Sequence, residues 1–211
     1  MNNLNKYKLF IVDYDGTIID SMGMWHHLLS RFLDSKNVKY TEDIDEISKE
    51  KTNVEALNYV YKKYFNDISY NELQDMMYSF VKNEYVNQKV KPGAEELLKE
   101  LKSIGRVVLF SATATELLND SFKTNGINKY FDKIYSASNM GTTKTNGVGY
   151  LKVIELENIN KKDALVVEDV YHAILGAKNQ GFDTLAIYDN QEYLDEIKKI
   201  STYYIDLKEL L

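Results

Sequence analysis

The sequence predicts an α/β protein, a parallel β-sheet flanked by helices and carrying an inserted all-helical module. Three observations predict it. Apolar runs at 9–12, 107–110, 164–167 and 185–187 are short, unbroken and rich in β-formers, as strands buried on both faces are. Stretches of helical spacing alternate with these runs, which is the pattern of βαβ crossovers and a parallel sheet. Between the first and second runs the spacing is helical throughout, so a helical insert interrupts the sheet.

The chain has 211 residues, of which 44% are hydrophobic, enough for a sizeable core in one or two domains. A net charge of −6 argues against a general nucleic-acid binder. Cysteine is absent, which removes disulfides and thiolate metal sites from consideration. The first residues, Met1-Asn2-Asn3-Leu4-Asn5-Lys6, lack an apolar signal core, and no run is long enough to span a bilayer. The expectation is a cytoplasmic monomer whose partner is neither nucleic acid nor membrane.

The first strand, 9–12, ends abruptly in Asp13-Tyr14-Asp15-Gly16-Thr17. A sharp turn at Gly16 lets both carboxylates point outward from the C-terminal edge of the strand, where open α/β sheets bind their ligands. Two carboxylates so close repel each other and favour a cation, and all-oxygen ligation suits Mg²⁺. With one charge neutralised, Asp13 is placed to attack a phosphorus and Asp15 to move protons. Two alternatives need no such chemistry. Asp-Gly is a common turn. An EF-hand loop is excluded because Gly16 comes too early and the preceding element is a strand.

From Trp25 to about residue 90, apolar residues recur at helical spacing. Trp25, Leu28, Leu29, Phe32 and Leu33 form one stripe, Ala56, Leu57, Val60, Tyr61, Tyr64 and Phe65 a second, and Leu73, Met76, Met77, Phe80 and Val81 a third. Three or four helices are expected here, with the Met and Tyr stripes serving as core. His26 and His27 read as surface or packed histidines rather than site residues. Arg31, Lys36, Lys39, Lys49 and Lys51 read as a solvated face, from which one cation reaches a substrate's charged end.

Lys91-Pro92-Gly93 punctuates the return, and 94–103 is an amphipathic helix stopped by Gly105. The strand at 106–110 ends in Ser111-Ala112-Thr113 before a helix at 114–124. A hydroxyl at that junction can face an anion together with the helix's free N–H groups, or it can cap the helix. A weaker strand is expected at 130–136, a loop with Lys144 in its middle at 139–149, and a helix at 150–157. The strand 164–169 again closes on paired carboxylates, Glu168 and Asp169. A helix at 171–179, a strand at 184–189, a helix at 192–200 and an edge strand at 203–206 complete the pattern.

Three strands therefore end in Asp13/Asp15, Ser111 and Glu168/Asp169, and a polar loop adds Lys144. In a parallel sheet every strand C-terminus lies on one edge, so groups distant in sequence can meet there. This set, in this order, resembles the four motifs of the haloacid dehalogenase-like hydrolases, and the resemblance runs from about Lys8 to Leu211. It implies a Rossmann-like core at 1–19 and 90–211 and a helical cap of the subclass-I kind at 20–89. Asp13 would be the nucleophile and Asp15 the general acid/base. Gly16, Thr17, Ser111, Ala112 and Lys144 would bind phosphate, and Lys152 is the alternative to Lys144. Mg²⁺ would be held by Asp13, the Asp15 backbone carbonyl and Asp169, with Glu168 assisting.

Some positions depart from the commoner family pattern. Ala112 stands where Asn is frequent, although Ser-Ala is similar to the β-phosphoglucomutase form. Thr145-Asn146 follows Lys144 in place of the usual proline, and Val170 and Ala173 replace frequent Ser and Gly. No charged group that the chemistry needs is lost. Asp15 favours phosphate esters, because a halide leaving group needs no proton. The resemblance implies an Mg²⁺-dependent phosphatase of a small phosphorylated metabolite, acting through an aspartyl phosphate under a closing cap. The alternatives are a β-phosphoglucomutase-like phosphosugar mutase and a non-catalytic binding protein on the same scaffold.

Overall fold

The computed structural model describes residues 3–41, 43–50, 53–188 and 193–211. Met1, Asn2, Lys51, Asp189 and Glu192, which entered the expectations above, lie outside the described residues. The chain divides into two compact units, one of residues 1–20 and 89–211 and one of residues 21–88.

The larger unit holds six parallel strands: β1 (Leu9–Val12), β2 (Arg106–Ser111), β3 (Lys133–Ser136), β4 (Ala164–Glu168), β5 (Asp183–Ile187) and β6 (Tyr203–Ile205). Their order in the sheet is β3-β2-β1-β4-β5-β6. The chain builds outward from β1 through β2 to β3, then returns to the other side of β1 with β4. That reversal makes the β1/β4 boundary the switch point of a Rossmann-like sheet, where the crevice for a ligand opens.

The four residues of β1 are all buried, as a central strand covered on both faces requires. Leu9 and Ile11 join Val108, Phe110, Ala164 and Val166 on one face, where they pack against Tyr150, Val153 and Ala177 from the helices. The intervening Phe10, Val12, Val107, Leu109, Leu165 and Val167 are equally buried facing the other way. Each such side chain contributes roughly 1.5–3 kcal/mol of transfer free energy, so the strands are held in register by which face each residue must hide.

The smaller unit contains, among the described residues, α1 (Met22–His26), α2 (Leu28–Ser35), α3 (Ile44–Glu50), α4 (Asn53–Tyr64) and α5 (Tyr70–Tyr85). These are five segments where three or four were expected, because His27 breaks the first stripe and α3 carries too few apolar residues to announce itself. Phe32 forms its aromatic centre, 5.8 Å from Phe65 and 5.6 Å from Phe80. His27 pairs with Asp45 at 2.8 Å, and Arg31 with Glu84. No described helix is long and apolar enough to cross a membrane.

In the larger unit, α6 (Ala94–Ile104), α7 (Thr115–Asn125), α8 (Val148–Leu156), α9 (Tyr171–Asn179) and α10 (Leu194–Ile200) connect the strands. Among the boundaries that differ from expectation, two have a visible cause. Residues 127–130 form a 3₁₀ turn, so β3 starts later than the Tyr130-Phe131 pair suggested; Phe131 packs on Phe122 instead. Helix α8 starts at Val148, where the Asn146 side chain accepts from the Val148 N–H at 3.0 Å, so the loop before it is shorter.

Candidate active site

At the C-terminal end of β1 the ladder continues one step, with the Asp13 N–H donating to the Val167 carbonyl at 2.9 Å. The chain then folds back on itself. Ile18 and Ile19 N–H groups both donate to the Tyr14 carbonyl, at 2.8 and 3.0 Å, and the Gly16 N–H donates to the Ile19 carbonyl at 2.9 Å. Gly16 has φ +78°, a conformation that costs glycine nothing. Lys91 Nζ closes the turn by donating to the Gly16 carbonyl at 2.7 Å. The two aspartates of the turn thereby receive different surroundings.

Asp13 is buried and accepts from Lys144 Nζ, which also lies 2.8 Å from Glu168 Oε1. Glu168 is held by three further hydrogen bonds. Its Oε1 also accepts from the Tyr150 hydroxyl at 3.2 Å, and its Oε2 from the Asp169 and Val170 N–H groups at 3.0 and 3.1 Å. Asp169 Oδ1 accepts from the buried Thr17 hydroxyl at 2.7 Å. One oxygen each from Asp13, Glu168 and Asp169 lies within 4.8 Å of the others. A compact, buried, all-carboxylate donor set of this kind suits a hard divalent cation such as Mg²⁺.

The Asp15 carboxylate is directed elsewhere. Its Oδ2 accepts from Ser111 Oγ at 3.2 Å and from Thr113 Oγ1 at 2.8 Å. Ser111 Oγ in turn accepts the Thr113 N–H at 2.9 Å. Ser111 is therefore not a helix cap: Ala114 precedes α7, and the Thr115 N–H donates to the Asn139 side chain at 3.0 Å. Ala112 is exposed and offers only its backbone. The Thr17 hydroxyl donates to Asp169, and the Gly16 amide to the Ile19 carbonyl.

Lys144 is brought to the carboxylates by close backbone packing of its loop on α9. A methyl at Gly176 would press on the carbonyl oxygens of Lys144 and Thr145, the latter at 2.6 Å. Gly147, at φ +75°, crosses just above Gly176 and donates its N–H to the Lys144 carbonyl at 2.9 Å. Lys152, the alternative lysine, instead donates to the Met140 carbonyl at 3.4 Å.

The electrostatics follow from burial. Desolvation pushes the Asp13 carboxyl up to about 7, opposed by Lys144 and reinforced by Glu168 and Asp15. Desolvation works against the Lys144 ammonium, but Asp13 and Glu168 outweigh it and hold its pKa above the ordinary lysine value. Burial, with Glu168 beside it, keeps the Tyr150 phenol protonated far above its usual range.

Thr113, Tyr150 and Lys91 were not anticipated as contributors. Thr113 carried a signal, a second hydroxyl just past the strand end; Tyr150 and Lys91 read as helix and turn residues, and only their side-chain directions reveal what they hold.

Comparison with known proteins bears on the fold and the family. Pyrophosphatase PpaX from Bacillus cereus (strain B4264) is 23% identical over 182 residues, covering 84% of this chain and 81% of that protein. A Thermotoga maritima structure described as a candidate β-phosphoglucomutase superposes with a TM-score of 0.81 at 20% identity, covering 97% of this chain and 96% of its own. A predicted phosphoglycolate phosphatase from Haemophilus somnus 129pt gives a TM-score of 0.78 at 14% identity, with coverage of 97% and 96%. The profile of the haloacid dehalogenase-like hydrolases matches residues 10–187, and the chain belongs to that family of enzymes.

Proposed function

We propose that the protein is an Mg²⁺-dependent phosphatase of a small phosphorylated metabolite. The observation that carries the reading is the segregation of the two aspartates: Asp13 lies with Lys144, Glu168 and Asp169, whereas Asp15 lies with Ser111 and Thr113. One is set up as a nucleophile beside positive charge and the other as a proton carrier.

In the proposed reaction Asp13 attacks phosphorus in line, forming an Asp13 O–P bond as the bond from phosphorus to the leaving oxygen breaks. Asp15 gives its proton to that oxygen, then takes one from the water that cleaves the aspartyl phosphate and restores Asp13. Lys144 offsets charge on the phosphoryl oxygens. Mg²⁺, held by Asp13 and Asp169 with the Asp15 carbonyl and with Glu168 assisting, would supply charge neutralisation for the phosphoryl group. Glu168 orients Lys144, and Thr17 orients Asp169. The insert of residues 21–88 is proposed as the cap that reads the leaving group.

The test is hydrolysis of p-nitrophenyl phosphate, inorganic pyrophosphate and a panel of phosphometabolites with Mg²⁺, with EDTA and with Asp13→Asn. Metal-dependent turnover lost in Asp13→Asn supports the reading. Silence of folded protein across the panel refutes it and leaves a binding protein on the same scaffold. The Ser111-Ala112 pair favours one second reading, a phosphosugar mutase; stimulation by a sugar bisphosphate distinguishes it.

A further inference from the structure

We propose that Thr113 is a positioning residue for Asp15: with Ser111 it forms a two-hydroxyl clamp that aims the Asp15 carboxylate at the leaving-group oxygen. The assignment rests on the phosphate-ester reading above.

Three hydrogen bonds define the clamp. The Thr113 hydroxyl donates to Asp15 Oδ2 at 2.8 Å and the Ser111 hydroxyl donates to the same oxygen at 3.2 Å. The Thr113 N–H donates to Ser111 Oγ at 2.9 Å, tying the two donors to each other. Each hydroxyl has one proton to give, and both are given to Asp15. Because both act on one carboxylate oxygen, they set the direction of the group rather than merely solvating it.

The clamp is mounted on rigid structure. Ser111 is the last residue of β2, fully buried and registered against Ser136 of β3, and its carbonyl accepts the Ala137 N–H at 2.8 Å. Thr113 therefore takes its position from the sheet, whereas Asp15 sits in a turn and needs an external reference. A proton carrier off by one rotamer loses most of its benefit, since proton transfer requires hydrogen-bond reach.

A residue that positions the acid matters most where the leaving group needs a proton. Nitrophenolate departs from p-nitrophenyl phosphate without one; an alkoxide does not. The experiment compares kcat/KM, which reports the first chemical step, for p-nitrophenyl phosphate and a simple alkyl phosphate in wild type, Thr113→Val and Thr113→Ser. General acid catalysis is worth about 10²- to 10⁴-fold, so Thr113→Val should lose about tenfold or more on the alkyl ester and no more than about threefold on the aryl ester. Thr113→Ser, which keeps the hydroxyl, should recover the alkyl activity.

Equal losses on both esters would reduce Thr113 to a structural role and overturn the assignment. So would a raised KM for both esters with weaker inhibition by inorganic phosphate, which would make Thr113 a phosphate ligand. Wild-type protein inactive on every ester would sink the phosphatase reading and this assignment with it; wild-type turnover with undifferentiated losses would sink this assignment alone.

Discussion

The Thr17 hydroxyl donates to Asp169 Oδ1 across 2.7 Å, both residues buried, and so joins the turn after β1 to the end of β4. The bond fixes the orientation of a carboxylate in the candidate cation cluster. Partners that orient metal ligands are worth about 10- to 100-fold in metal affinity. Thr17→Val should therefore raise the Mg²⁺ concentration for half-maximal turnover by about that factor, with kcat largely restored at saturating Mg²⁺. Magnesium titration of activity, with calorimetric Mg²⁺ binding alongside, measures both; unchanged Mg²⁺ dependence would mean Asp169 needs no such support.

The backbone contact between α9 and the Lys144 loop makes Gly176 sensitive. A methyl there meets the Lys144 and Thr145 carbonyls, and overpacking of this kind costs about 1–3 kcal/mol. Gly176→Ala should lower Tm and, by displacing Lys144, lower kcat/KM. Thermal melts and steady-state kinetics check it; a variant unchanged in both would show that the loop retreats freely.

Tyr14, between the two aspartates in sequence, points away from them. Its hydroxyl meets Ser121 Oγ at 2.9 Å and accepts from Asn125 Nδ2 at 2.8 Å, and its ring packs edge-on against Phe122 at 5.2 Å. Burial pushes the phenol up to about 12, so it stays neutral at ordinary pH. Tyr14→Phe should cost about 1 kcal/mol, and Tyr14→Phe with Ser121→Ala should cost less than the sum of the single changes, because they share one network. Denaturant unfolding of the four proteins decides it, and strict additivity would show the bond to Ser121 carries no coupling.

A buried carboxylate at the opposite, N-terminal edge of the sheet supplies a pH dependence. Burial alone would raise the Glu157 pKa, but the Tyr135 hydroxyl, Lys133 at 3.0 Å and Arg106 at 2.6 Å outweigh it and hold it below the usual range. The folded chain therefore keeps Glu157 ionised at pH values where the unfolded chain has begun to protonate it. Its contribution is fully present above the unfolded carboxylate pKa and is lost as pH falls through the depressed folded value. Glu157→Gln should be less stable than wild type by about 1–2 kcal/mol at neutral pH, and the gap should close in acid. Urea titrations across that range test the sign; a gap that widens in acid would contradict it.

Much of the fold is readable locally. Residues 9–12 and 171–179 take the elements their patterns demand, because an unbroken apolar run and a helical stripe each have one low-cost way to hide. Local reading fails where packing overrides pattern. Tyr130-Phe131 has strand character, yet Phe131 is drawn onto Phe122 and β3 begins only at Lys133. The short helices α1 and α3 are held by packing rather than propensity, so their pattern is weak.

The sequence by itself determined that polar groups end three buried strands, and parallel pairing obliges those ends to share an edge, so Asp13, Ser111, Glu168 and Asp169 had to meet. Only the tertiary structure decided which way each side chain points once it arrives. It sent Asp15 to Ser111 and Thr113, Thr17 to Asp169, and Lys144 rather than Lys152 to the carboxylates. The physical reason is one of range. Strand and helix periodicity is set by neighbours a few residues away, whereas a buried donor or acceptor must find a partner wherever the fold provides one, 152 residues along the chain for Thr17 and Asp169.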